Sequence, residues 1–247
     1  MENAIYIERD FGWFLGCFDN NRKHRHYAIQ LSIPINGFIS VELSEKVIST
    51  ESPVLIKPNI SHRITSDAEQ FLLLINPAST IGHFWNKIAD TTVSEIDHPF
   101  VAELQATLND GAMDIDERRS MINGLIRSYD CFCDSFIHRG DDRINKALGY
   151  LANHINRVVS LDEIAGICAI SPDRFLHLFR GATGMTYRRA QLWARLTDAI
   201  PLMNNYSLTE TAHQAGFADS AHFSRTFREN FGFSPRQILK FSRFIQV

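Results

Sequence analysis

A pattern that occurs twice constrains this chain more than any other feature. The stretch SLTETAHQAGFADSAHFSRTFRENFG (207–232) opens on a serine with Glu210 three residues later. In that arrangement side chain and backbone cap a helix start reciprocally. Leu208, Thr211, Ala212 and Ala215 fall on one face of a short helix. Gly216 permits a sharp turn, Asp219 or Ser220 can cap a second helix in which Phe223 and Phe227 share a face, and Gly232 ends it. Two short helices on a glycine turn, with Ser, His and Arg left outward on the second, make a helix-turn-helix. Ser160, Leu161, Glu163 and Ala165 recur as Ser207, Leu208, Glu210 and Ala212, 47 residues on. Phe175, Phe179 and Gly184 recur as Phe223, Phe227 and Gly232, 48 residues on. The extra residue falls in the turn, where insertions are accommodated best. Duplication within one chain is a far more specific signal than either copy alone.

The rest of the chain divides by texture. From Ile5 to Pro77, short runs such as GWFLGCF, YAIQLSI and QFLLLINP are rich in β-branched and aromatic residues. Turn formers (Asp19-Asn20-Asn21, Asn36-Gly37, Pro58-Asn59) separate them, and Pro34-Ile35-Asn36-Gly37 reads as a tight hairpin. This predicts an antiparallel β-barrel or jelly roll over residues 5–80. From 81 to 137 the period turns helical. Phe100, Leu104, Thr107 and Leu108 fit one helix, and a second runs from Asp116 to about Ile137. Its stripe, which includes Ile122, Leu125, Ile126, Tyr129, Cys133 and Phe136, either packs on the β domain or forms a dimer seam.

His138-Arg139-Gly140-Asp141-Asp142 reads as a hinge, and everything from Arg143 onward as helical. A connecting helix spans about Thr186 to Leu202, ended or kinked by Pro201. Ser171-Pro172 and Ser234-Pro235 are cap-plus-proline helix starts. The expected organisation is a two-domain α+β protein: 1–138 a β domain with trailing helices, 139–142 a linker, and 143–247 an all-α domain.

Charge follows the same division. Residues 141–247 carry 13 Lys and Arg against 9 Asp and Glu, whereas 1–140 carry 12 against 19. Eleven of the 13 cations are Arg, the residue suited to phosphate and guanine. Only the C-terminal half is therefore expected to meet nucleic acid. No apolar run approaches the roughly 20 residues of a membrane span, and MENAIYIERD lacks signal-peptide character. Cys17, Cys131, Cys133 and Cys168 form no metal-type CxxC pair, so reduced thiols in a cytoplasm are expected.

Residues 143–240 resemble the DNA-binding domain of the AraC/XylS family of bacterial transcription regulators. The resemblance is carried by S-L-x-E-x-A (160–165), S-P-D-R-F-L-H-L-F-R (171–180), G-M-T-Y (184–187), R-L-x-x-A (195–199) and A-G-F-A-D-S-A-H-F-S-R-T-F-R-E-N-F-G-F-S-P (215–235). It implies seven helices, with two helix-turn-helix units joined by a long helix. The β domain is similar to the cupin-like sensor domain of many such regulators, through His24-x-His26-x3-Gln30-x6-Gly37 and Pro58-x3-His62. The Gln position there is normally Glu.

The second helix of each unit enters a major groove. With Phe175 and Phe179 inward, Asp173, Leu176, His177 and Arg180 face out. Family position makes the first three base-facing and puts Arg180 on phosphate. Asp173 could accept from cytosine N4 or complement the helix dipole as a first-turn acid. In the second unit Ser220, Ala221, His222, Ser224, Arg225 and Arg228 face out, with Arg225 suited to guanine and Arg228 to phosphate. Arg195 sits where the family has a structural Arg.

Three readings of the N-terminal domain compete. Trp13, Tyr27, Ile29, Leu31 and Phe38, with His24, His26 and His62, could line an effector pocket, or the apolar ones could simply fill a core. The histidines could bind metal, but Gln30 lacks the carboxylate's charge and Arg22, Lys23, Arg25 and Arg63 crowd the region. Those cations could instead attract a carboxylate effector. Lastly, the domain could bind nothing and only dimerise. With no nucleophile–base pair, phosphate loop or carboxylate pair in view, neither enzyme activity, metal nor cofactor is expected. The expected function is a sequence-specific transcription regulator, resembling activators. Its expected partners are double-stranded DNA, a small-molecule effector, a second copy as homodimer and RNA polymerase, but not a membrane.

Overall fold

The computed structural model describes residues 4–129 and 142–246, apart from 9, 18–20, 67, 78, 89–90, 184 and 242–244. The N-terminal strands are β1 (Ala4–Ile7), β2 (Phe11–Gly16), β3 (Ile29–Pro34), β4 (Ile39–Glu42), β5 (Val47–Thr50), β6 (Val54–Ile56), β7 (Arg63–Ser66), β8 (Gln70–Ile75) and β9 (Val93–Glu95). They form two sheets, which do not close into a barrel. The larger has the order β10-β1-β2-β8-β3-β6-β9, where β10 is Ile245–Gln246 and runs parallel to β1. The smaller is β5-β4-β7. The Pro34–Gly37 turn therefore does not form a hairpin; it carries the chain from one sheet to the other, with Gly37 at φ 77°.

Alternation along the strands divides the large sheet into two faces. Ile29, Leu31 and Ile33 point one way with Trp13, Phe71 and Leu73, and Gln30 and Ser32 point the other. The first face is covered by α1 (Thr80–Ile88), α2 (Pro99–Asn109) and α3 (Ile115–Ser128), through Trp85, Phe100, Leu104, Ile122 and Ile126. Trp13 Nε1 donates to Asn123 Oδ1 at 2.8 Å, fixing α3 on the sheet. The predicted 116–137 helix thus packs inward through Ser128. Cys131, Cys133, Phe136, Ile137 and the 139–141 part of the expected linker lie outside the described residues. β9 falls inside the stretch read as helical, because three residues give no legible period.

The opposite face is covered in two parts. Ile39, Val41 and Ile64 of the small sheet pack on Val54 and Ile56. Beside them Phe14, Leu72 and Leu74 meet the C-terminal domain instead. That is why the barrel stays open: helices occupy the place where further strands would close it.

The C-terminal domain holds seven helices among the described residues: α4 (Asp142–Ala152), α5 (Leu161–Ile167), α6 (Pro172–Thr183), α7 (Tyr187–Leu202), α8 (Leu208–Gln214), α9 (Ser220–Phe231) and α10 (Pro235–Phe241). The caps fall where the sequence places them. Ser160 Oγ accepts from Glu163 N, Ser207 and Glu210 complete a reciprocal box, and Asp219 caps α9. Pro201 sits in the last turn of α7, one residue before its end.

The connecting helix α7 holds both units. Gln191 exchanges two hydrogen bonds with the main chain of Val159, at 2.9 and 3.0 Å. Arg195 Nε donates to Ala215 O at 2.8 Å, its Nη2 reaches Gly216 O, and its guanidinium lies 4.4 Å over the Phe217 ring. Arg195 is thus a buried clamp on the turn of the second unit.

Candidate nucleic-acid interface and the cleft behind it

Burial sorts the two recognition helices into a core face and a free face. In α6, Phe175 and Phe179 are fully buried while Asp173, Leu176, His177 and Arg180 are exposed. In α9, Phe223 and Phe227 are fully buried; Ala221, His222, Arg225 and Arg228 are exposed, and Ser220 and Ser224 are half-buried. The start of α9 is held by Asp219 Oδ1 accepting from His222 N at 2.6 Å, a bond that lowers the Asp219 pKa. Its end is set by Gly232, in the left-handed region at φ 77°. Each unit so presents a short helix whose outer side chains can reach base edges while its inner aromatics anchor it.

The N-terminal domain abuts the second of these helices. Arg22 N donates to Gly232 O at 3.2 Å, and Arg25 N to Glu229 O at 3.4 Å. A Cβ on Gly232 would lie 2.8 Å from His24 Nδ1, so only glycine fits against that ring. Arg22 and Lys23 line one groove with Ala221, Ser224, Arg225 and Arg228. Both cations belong to the half of the chain that the charge count sets apart from nucleic acid. The local run Arg22, Lys23, Arg25 within an acidic half is the signal that marks them.

A cleft of about 700 Å³ opens between the domains, lined by Lys23, Arg25, Tyr27, Ser61, Arg188, Arg189 and Leu192 among others. Arg189 stands 4.4 Å over the Tyr27 ring and donates to Asn59 Oδ1 at 3.3 Å. Of the residues expected to line an effector pocket, Tyr27 and His24 border this cleft. Trp13, Ile29 and Leu31 lie in the packed core beneath α1–α3, and Phe38 is 50% exposed ahead of β4. His26 and His62 are buried beside His24, and these three are the group among the described residues whose ligand atoms could converge on a metal ion.

Residues 164–240 match the family model described as a helix-turn-helix domain. The activator RhaS of Enterobacter sp. (strain 638) is 28% identical over 189 residues, 73% of this chain and 67% of that protein. RhaS of Escherichia fergusonii is 38% identical over 100 residues, 40% of this chain and only 36% of that protein. The chain is a DNA-binding regulator with an AraC-type helix-turn-helix domain, homologous to that of the RhaS proteins. The probable transcriptional regulator LumQ of Photobacterium leiognathi is 23% identical over 231 residues, 89% of this chain and 92% of that one. In fold, the regulator resembles an apo single-residue variant of ToxT from Vibrio cholerae, with a TM-score of 0.59 at 15% identity, covering 98% of this chain and 99% of that one. Wild-type ToxT with bound unsaturated fatty acid gives a TM-score of 0.58 at 14% identity, with coverage of 98% and 99%. Among the described residues no helix is long and apolar enough to cross a membrane.

Proposed function

We propose that this regulator reads two successive major-groove segments, one with each recognition helix, and adjusts that reading to an anionic small molecule held between its domains. Asp173, Leu176 and His177 of α6 and Ser220, Ala221, His222, Ser224 and Arg225 of α9 face bases; Arg180 and Arg228 face phosphates. The observation that carries this reading is the pair of helices with buried phenylalanines and exposed polar faces, hung on one connector. Successive groove faces recur about 34 Å apart on the duplex, so a single chain reads an asymmetric site. The protein works in the cytoplasm as a homodimeric activator touching RNA polymerase. Its N-terminal domain (1–138) senses rather than catalyses, and residues 143–247 read DNA.

The cleft supports a carboxylate effector. Arg25, Arg188 and Arg189 line it, against one acid, Glu229, and guanidinium groups bind carboxylates bidentately. The ToxT structure holding a fatty acid makes the same chemistry reasonable for this fold. Selection of bound sequences from random DNA with the full-length protein, with and without a panel of carboxylates, tests the reading. A defined asymmetric site whose affinity responds to a carboxylate is expected. No enriched sequence would end the first half, and an unresponsive site the second.

A further inference from the structure

The second recognition helix shares its exposed flank with a basic segment of the N-terminal domain. Arg22 and Lys23 are exposed, and together with Ala221, Ser224, Arg225 and Arg228 of α9 they line a groove of about 420 Å³. Four cations border it against one acid, Glu229. The arginine best suited to a base edge thus stands beside two cations from the other end of the chain.

The segment that carries those cations is fixed on more than one side. Its main chain is bonded to the end of α9, from Arg22 N to Gly232 O at 3.2 Å and from Arg25 N to Glu229 O at 3.4 Å. It is bonded to its own domain through the His24–His62 bridge, whose two main-chain hydrogen bonds measure 2.8 and 2.9 Å. The His24 ring donates from Nδ1 to Arg22 O at 2.9 Å, because a carbonyl only accepts. His24 and His26 are buried, and Arg22, Lys23 and Arg25 between and beside them are exposed. The cations are therefore held at the flank of α9 by main-chain bonds that no side-chain substitution removes. A contact mounted on backbone already in place costs little ordering when its partner arrives. Lys23 Nζ donates to Leu43 O at 3.1 Å and lies 3.7 Å from Glu42. Both side chains of that ion pair are more than a third exposed, so the attraction is weak and a phosphate can replace it.

We propose that Arg22 and Lys23 grip the DNA backbone beside the base pairs read by α9, which makes the N-terminal domain part of the DNA-binding surface. This rests on the reading of α9 as a major-groove helix. The major groove is about 12 Å wide and bounded by the two sugar-phosphate backbones. A helix that fills it has phosphates rather than base edges along its flanks. Cations on such a flank add affinity and fix register without reading sequence. The segment of DNA read by α9 gains phosphate contacts that the second helix-turn-helix unit does not itself supply.

The test is a salt series of mobility shifts with the full-length protein, on its selected duplex and on a random duplex of equal length. Arg22→Ala and Lys23→Ala should each lower the slope of log affinity against log salt by about one on both duplexes, and the double variant by about two. Base preference in selection should stay that of the wild type, whereas Arg225→Ala alters it. Arg22→Lys should keep the slope, because a phosphate contact needs the charge. Lys87→Ala makes the same charge change on α1, across the large sheet from the C-terminal domain, and should leave the slope as it is. A slope unchanged by the double variant overturns the proposal; if Arg225→Ala still alters base preference, the reading of α9 stands. An equal fall in Lys87→Ala also overturns it, since net charge alone then accounts for the effect. Should selection enrich no sequence, the reading of α9 fails, and the random duplex still decides whether these two cations meet phosphate.

Discussion

The two helix-turn-helix units carry one sequence pattern into different surroundings. In the first, Phe175 and Phe179 meet Tyr187 edge-on, and their core is drawn wholly from residues 144–190. In the second, Phe223 and Phe227 join a core that also contains Ile5, Ile7, Phe14 and Leu74 of the large sheet, through Trp193 and Phe231. The turns differ in the same sense. Gly216 stands at φ 69°, with the main chain of Asn156 so close that an added Cβ would lie 2.7 Å from its oxygen. Its counterpart 47 residues earlier, Ala169, accepts φ 54° with a side chain in place. One unit is a reader closed on itself; the other is fused to the N-terminal domain. Control of DNA binding should therefore act on the second.

Truncating the matched phenylalanines breaks this comparison most forcefully. Phe179→Ala and Phe227→Ala should each cost about 3–5 kcal/mol, the usual range for a buried Phe. By hydrogen exchange, the first should loosen residues 144–190 alone, and the second should also expose amides of β1, β2 and β8. Equal spread from both would mean the cores are not separate. Next in size, Arg225→Ala should cost about 1–3 kcal/mol of DNA affinity and relax preference at one base. Arg228→Ala should weaken all sequences alike and reduce the salt slope by about one. Mobility shifts across a salt series distinguish the two roles. The smallest effect belongs to the turns. Ala169→Gly should stabilise the first unit by about 1 kcal/mol, because an L-residue in the left-handed region is strained, while Gly216→Ala should destabilise the second. Denaturant melts of both variants check the opposed signs.

What was legible in the sequence was local. Caps, turns and the inward phenylalanines follow from residue spacing, and the helices of the C-terminal domain other than α7, which follows Thr186, start close to where Ser, Asp or Pro demands. The division of the large sheet was not legible, because Phe14, Leu72 and Leu74 read like any core residues. Nothing in their spacing says that a distant domain covers them. Trp13, Ile29 and Leu31 read as pocket lining or as core for the same reason: an apolar strand residue does not reveal which layer it faces. His24 and His26 share a side by alternation, but His62 joins them only through a bridge between segments 38 residues apart. Arg22 and Lys23 are visible as a basic run, but nothing in their spacing says that they border the second helix-turn-helix unit.

Base-resolved footprinting of the full-length protein on its selected duplex, wild type against Arg225→Ala, tests the central claim most directly. Two protected major-groove segments one helical turn apart are predicted, with the variant losing contact at one and keeping the other. A single protected segment, or equal loss at both, would contradict it.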